Sequence, residues 1–148
     1  MKTYSFSIVI LLSFLSNVLT AQVVKSIYQT MDISDVTKQI NFDFPDSCEI
    51  VLWKCEGKIM FETCVSIETS NAEILNMFIK EERYNIVEDS NSIVKTIKFA
   101  TMRPIIKNSQ SKIIKEKVFV RVYVPEEFMV KNTIVYKIDT ELLGANNQ

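Results

Sequence analysis

The chain has 148 residues, 17 basic and 18 acidic side chains, no histidine, two glycines and three prolines. That length suits one ordinary domain, and a chain so poor in glycine and proline is neither a linker nor a low-complexity tract. Without histidine the commonest general base and metal ligand is missing, and with it any Cys-His or Ser-His-Asp arrangement.

The chain opens MKTYSFSIVILLSFLSNVLTA, in which Lys2 precedes an uncharged, mostly apolar stretch from Phe6 to Leu19 and Thr20-Ala21 follows. A basic start, a short apolar middle and a small residue at the break are the layout of a cleavable export signal. Residues 1–21 are therefore expected to be removed after Ala21. The apolar stretch is shorter than the ~20 residues of a spanning helix, and no later stretch is long enough, so no membrane span is expected after cleavage. Residues 22–148 read as a single β-rich domain whose end, about 141–148, frays.

Gln22 to Ile33 alternates loosely and predicts a first strand, and Ser34-Asp35 a turn. From Lys38 to Phe44, Ile40, Phe42 and Phe44 fall on one face and Asn41 and Asp43 on the other, the pattern of a half-buried strand. Pro45-Asp46-Ser47 ends it. Cys48 to Thr69 then holds all three cysteines and the one tryptophan. Two apolar runs, EIVLW and KIMFETCVSI, flank Glu56-Gly57, which is a hairpin signal. The two runs are expected to pair with each other, Ile50 opposite Thr63 and Leu52 opposite Phe61. Cys48, Ile50 and Leu52 would then share a core face with Ile59, Phe61, Thr63, Val65 and Ile67. The opposite face would carry Glu49, Val51, Trp53 and Cys55 beside Lys58, Met60, Glu62 and Cys64.

After Thr69 the period changes. Ser70 or Asn71 caps a predicted amphipathic helix over about 72–83, with Ile74, Leu75, Phe78 and Ile79 at helical spacing. Tyr84 to Glu88 and Ile93 to Phe99 read as strands around a turn at Asp89-Ser90-Asn91-Ser92. Ala100 to Lys115 is the least regular part, broken by Pro104 and by the polar run Asn108 to Ser111. In Lys117 to Val124, the clearest strand, Val118, Val120, Val122 and Val124 line one face and Phe119, Arg121 and Tyr123 the other. Pro125-Glu126-Glu127 stops it, and Phe128 to Ile138 gives one or two short strands. The expectation is a mainly β domain of seven or eight strands, an antiparallel sandwich or short coil of strands, with one helix inserted after the fourth.

The segment KVFVRVYVPEEFMVKN, with Val118, Val120, Val122, Val124, Pro125 and Glu126, resembles exported bacterial domains of the adhesin type, related to autotransporter-adhesin heads. In that family an alternating valine-rich strand ends in Val-Pro-Glu and a short strand follows. The segment WKCEGKIMFETCVSIET is similar to the early hairpin of such chains, and the small size and Ala-Gln junction look like proteins exported by the Bacteroidetes group. The resemblance implies a surface or periplasmic domain and carries over no catalytic residues.

Charge is unevenly spread. From Gln22 to Val94 there are 13 acids and 6 bases, whereas Lys95 to Arg121 holds 1 acid and 8 bases: Lys95, Lys98, Arg103, Lys107, Lys112, Lys115, Lys117 and Arg121. Such a block is either a patch for a polyanion, an acidic polysaccharide or lipid head group, or a set of basic strands paired with acidic ones. Trp53, with Phe119 or Tyr123, offers a stacking surface for a sugar or peptide, or a core role. Asp43, Asp46 and Glu49 surround one turn, either as calcium ligands or as solvated acids. Cys48, Cys55 and Cys64 lack paired zinc spacing, and two glycines make no phosphate-cradling loop. An exported chain meets an oxidising compartment, yet the adjacent-strand pair Cys48 and Cys64 falls on opposite faces, so buried unpaired thiols are the preferred reading.

These features favour an exported, non-enzymatic binding or scaffolding module of the cell envelope, with an envelope or extracellular protein or glycan as partner and no nucleic acid, metal or cofactor. The alternatives are a small carboxylate-dependent hydrolase or inhibitor acting on cell-wall or host polymers, and a polyanion binder using the block at 95–121.

Overall fold

The computed structural model describes residues 21–90 and 93–138. All but the last residue of the expected export segment, the expected frayed end, and Asn91 and Ser92 of one expected turn lie outside them. In chain order the elements are β1 (Val23–Asp32), β2 (Gln39–Asp43), β3 (Ser47–Trp53), β4 (Lys58–Ile67), α1 (Ala72–Lys80), β5 (Ile86–Ser90), β6 (Val94–Phe99), β7 (Ile106–Lys107), β8 (Ile113–Ile114), β9 (Glu116–Pro125), β10 (Phe128–Lys131) and β11 (Ile134–Lys137).

The strands sort into a four-stranded sheet, β1-β4-β9-β3, a five-stranded sheet, β10-β11-β2-β6-β5, and the separate pair β7-β8. The two larger sheets stack through one continuous core. Phe61 of the first meets Phe42 of the second edge to face, their ring centroids 6.5 Å apart. Ile59, Phe61, Val65 and Ile67 of β4 and all four valines of β9 are buried against Ile40, Phe42, Ile97 and Phe99. Alternation of apolar and polar residues along each strand produces this, since successive side chains leave opposite faces of a pleated sheet.

The expected class is therefore found: mainly β, sandwich-like, with one helix after the fourth strand. α1 covers the inward side of β1. Leu75 is fully buried, with Ile74, Phe78 and Ile79 packed on the core, and the Lys25 ammonium donates to the Asn76 side chain. Asn71 is the cap, its side chain accepting from Glu73 N at 2.9 Å. The helix stops at Lys80, short of the expected Arg83, because Glu82 turns left-handed at φ 56°. Arg83 N then donates to Phe78 O and Glu82 N to Ile79 O, both at 3.1 Å, which satisfies the last carbonyls in the Schellman manner.

The expected strand pairing is overturned. β3 and β4 do not pair with each other; β9 lies between them, parallel to β3 and antiparallel to β4. Ile50 faces Val122 and Leu52 faces Val124, while Thr63 faces Val120 and Phe61 faces Val122. A two-residue type I′ turn needs positive φ at both central residues. Gly57 has it, at 67°, but Glu56 does not, and the Gly57 carbonyl accepts from Ile33 N at 2.7 Å. The glycine thus serves the β1–β4 end of the sheet. As an edge strand β3 is covered only in part: Cys48 and Ile50 pack on the core but Leu52 is 45% exposed, against its expected place. Among the described residues, hairpins between neighbours in sequence are confined to β5–β6, β7–β8 and β10–β11, and β2 runs parallel to β6. The sheets are mixed rather than wholly antiparallel.

Candidate functional site

The outward face of the four-stranded sheet is uncovered among the described residues, and its register assembles a row across every strand. Tyr28 of β1 lies opposite Glu62 of β4, Glu62 opposite Arg121 of β9, and Arg121 opposite Glu49 of β3. The Tyr28 hydroxyl donates to Glu62 Oε1 at 3.0 Å and the Tyr123 hydroxyl to Glu62 Oε2 at 3.3 Å. Arg121 Nη1 donates to Glu62 Oε2 at 3.2 Å and its Nε to Glu49 Oε2 at 2.8 Å. The bond to Glu49 chiefly holds the guanidinium charged, above its ordinary range, and the bond to Glu62 raises the Tyr28 phenol.

Aromatic rings flank the row. The Trp53 and Tyr123 centroids are 5.8 Å apart, and the Arg121 guanidinium lies 5.6 Å from the Phe119 ring centre. The three proposed stacking residues, Trp53, Phe119 and Tyr123, therefore share one face with Arg121, while Tyr28, 62% exposed, completes it. Such a face offers flat apolar surfaces beside hydrogen-bonding groups fixed in advance by one another. Its chemistry is that of stacking, ion pairing and hydrogen bonding.

The rest of the basic block is dispersed. Lys95 points inward from β6, 6% exposed, and pairs with Glu88 of β5. Lys98 pairs with Asp89 at 2.8 Å, and Lys115 lies 3.7 Å from Glu68. Arg103 pairs with Asp46. Lys107, Lys112 and Lys117 are exposed and carry no ion pair among the described residues. Asp43, Asp46 and Glu49 do not converge, and no group of three or more metal-binding side chains occurs among the described residues.

Arg103 belongs to a buried cluster that sequence reasoning missed. Arg83 grips Glu116 through two bonds of 3.0 Å, the Tyr84 hydroxyl donates to Glu116 Oε1 at 2.6 Å, and Arg103 Nη1 lies 3.7 Å from Glu116 Oε2. Arg103 also stacks 4.7 Å from the Phe99 ring centre. Burial works against ionised Glu116, but the Arg83 and Tyr84 bonds outweigh it and hold the carboxyl below its usual range. Burial pushes Asp46 up more than Arg103 pulls it down. The cluster ties the start of β9 to the end of α1, the loop after β6 and the β2–β3 turn. Its one signal in the sequence was Glu116 as the single acid of the 95–121 block.

A groove of about 620 Å³ runs past the far end of the same sheet, lined by Trp53, Lys54, Cys55, Glu56, Pro125, Glu126 and Glu127. The turn after β9 is held to β3 there by Glu126 N donating to Trp53 O at 3.2 Å. All three thiols are free. Cys48 faces inward from β3, its pKa pushed up to about 11 by burial, whereas Cys64 faces outward from β4 beside Phe119.

The chain matches no protein-family model, no curated protein and no solved structure. Its class is set by architecture alone: a mainly β, sandwich-like domain with a single helix among the described residues. No helix among the described residues is long and apolar enough to cross a membrane.

Proposed function

We propose that the domain is a non-enzymatic binding module of the cell envelope, exported through its first 21 residues, and that it meets a protein or glycan through the outward face of β1, β4, β9 and β3. The observation that carries this is the row Tyr28–Glu62–Arg121–Glu49 with its flanking rings. Polar groups held in place before a partner arrives lose little entropy on binding, and aromatic and arginine side chains are those that dominate interfaces. The adhesin-type resemblance of the β9 segment agrees with such a role.

Crosslinking of intact expressing cells followed by mass spectrometry identifies the partner. Capture of the same envelope protein or glycan by the parent chain, lost in Tyr28→Ala/Arg121→Ala with the melting temperature kept, is the expected result. Unchanged capture by that variant sinks the assignment of this face.

The carboxylate-dependent reading has an observation of its own, the groove at Trp53, where Glu56 and the pair Glu126-Glu127 come from separate turns beside an aromatic wall. Turnover of a cell-wall polymer, abolished by Glu126→Gln/Glu127→Gln, is the result that would favour it.

A further inference from the structure

Between Ala100 and Lys115 the chain has no acid. Arg103 turns inward, but most of the remainder builds the β7–β8 hairpin, which joins neither sheet. Ile106 and Ile114 lie opposite each other and face the core. Lys107 lies directly opposite Ile113 on the other side of the ladder. Ile105 and Lys115 lie one residue beyond the two strands. Ile113 is 57% exposed, Ile105 70% and Met102, just ahead, 95%. Hydrogen bonds close the tip: Asn108 Oδ1 accepts from Gln110 N at 3.0 Å and Lys112 N at 2.9 Å, and Asn108 N donates to Lys112 O at 2.9 Å. The isoleucines are thus presented by a built turn.

Large apolar side chains this exposed, in a stretch with lysines and no acids, are unfavourable in water and favourable at the boundary between acyl chains and anionic head groups. A soluble polyanion would engage the lysines alone; the apolar side chains are what select a bilayer. We propose that the β7–β8 hairpin docks the domain peripherally on an anionic lipid surface. Ile113 and Lys107 share the outward side of the ladder; Ile113 enters the head-group boundary with the exposed Met102 and Ile105, while Lys107, and the exposed Lys112 beside the turn, meet lipid phosphates. Lys115 adds less, because Glu68 lies 3.7 Å away.

The test is flotation of the protein, as isolated from expressing cells, with vesicles of phosphatidylcholine with and without phosphatidylglycerol. Any contribution of residues 1–21 is common to all variants compared. The parent should float with the anionic vesicles and not the neutral ones. Lys107→Glu/Lys112→Glu should weaken this by at least about ten-fold, each lysine near such a surface being worth about five-fold. Ile105→Ser/Ile113→Ser should weaken it comparably while leaving the melt unchanged, since both side chains are exposed. Equal flotation with neutral vesicles, or no flotation, overturns the proposal. So does an Ile105→Ser/Ile113→Ser variant that floats like the parent. Binding of dextran sulfate that depends on the lysines alone, together with that last outcome, would point to a soluble polyanion.

Discussion

Glu62 and Arg121 face each other across the β4–β9 ladder, and the single carboxylate is shared between that guanidinium and the hydroxyls of Tyr28 and Tyr123. Four strands thereby contribute to one polar row on an open sheet face, although its members come from widely separated parts of the chain.

Because Tyr28, Glu49 and Arg121 keep contact with water, the ion pairs of the row should contribute little to stability. Arg121→Ala and Glu62→Ala should each cost no more than about 1 kcal/mol in urea unfolding, with a coupling in the double-mutant cycle of the same order or smaller. A loss several times larger would mean that the row is a structural element.

The buried cluster should behave oppositely. Glu116→Gln removes the charge that two arginines surround and should destabilise the fold by about 3–5 kcal/mol. The two carboxyls also set opposing slopes with pH. Glu116, held below its usual range, contributes stability that is present above its unfolded pKa and lost as pH falls through its folded pKa. Asp46, raised by burial, contributes stability that is present below its unfolded pKa and lost as pH rises through its folded pKa. Unfolding measured from neutral pH into the acid range should therefore lose its steepest acid loss in Glu116→Gln. Asp46→Asn should leave an acid loss at least as steep as that of the parent.

Two left-handed residues give predictions of opposite sign. Glu82 carries a Cβ penalty at the end of α1, so Glu82→Gly should stabilise by roughly 1 kcal/mol in thermal or chemical unfolding. Gly57 at φ 67° has open space where a Cβ would sit, so Gly57→Ala should cost roughly 1–2 kcal/mol from backbone strain alone.

The thiol of Cys48, pushed up to about 11 by burial, should resist alkylation in the native state and react readily once the chain is unfolded. Cys48 and Cys64 lie on opposite faces with β9 between their strands, so peptide mapping without reductant should find no bridge joining them.

The strands were legible wherever alternation ran for five residues or more, as in Lys117 to Val124, and the helix was legible from Asn71 and its apolar spacing. β7 and β8, two residues each, are too short for any period to show. Strand order was not legible, because the partner of β3 lies far along the chain and Glu56-Gly57 reads as a hairpin until its φ angles are known. The candidate face was half legible. Phe119, Arg121 and Tyr123 alternate outward in the sequence itself, but only the position of β9 between β3 and β4 shows that Glu49 and Glu62 flank Arg121.

The placement of β9 also bears on when folding can happen. A chain released from its N-terminus, whether by a ribosome or through a translocation channel, presents β3 and β4 long before the strand that must lie between them. Until residues 116–125 emerge, the first sheet has only its β1–β4 edge, and β3 has no ladder to join. Such a high-separation pairing delays closure of the core until β9 is available.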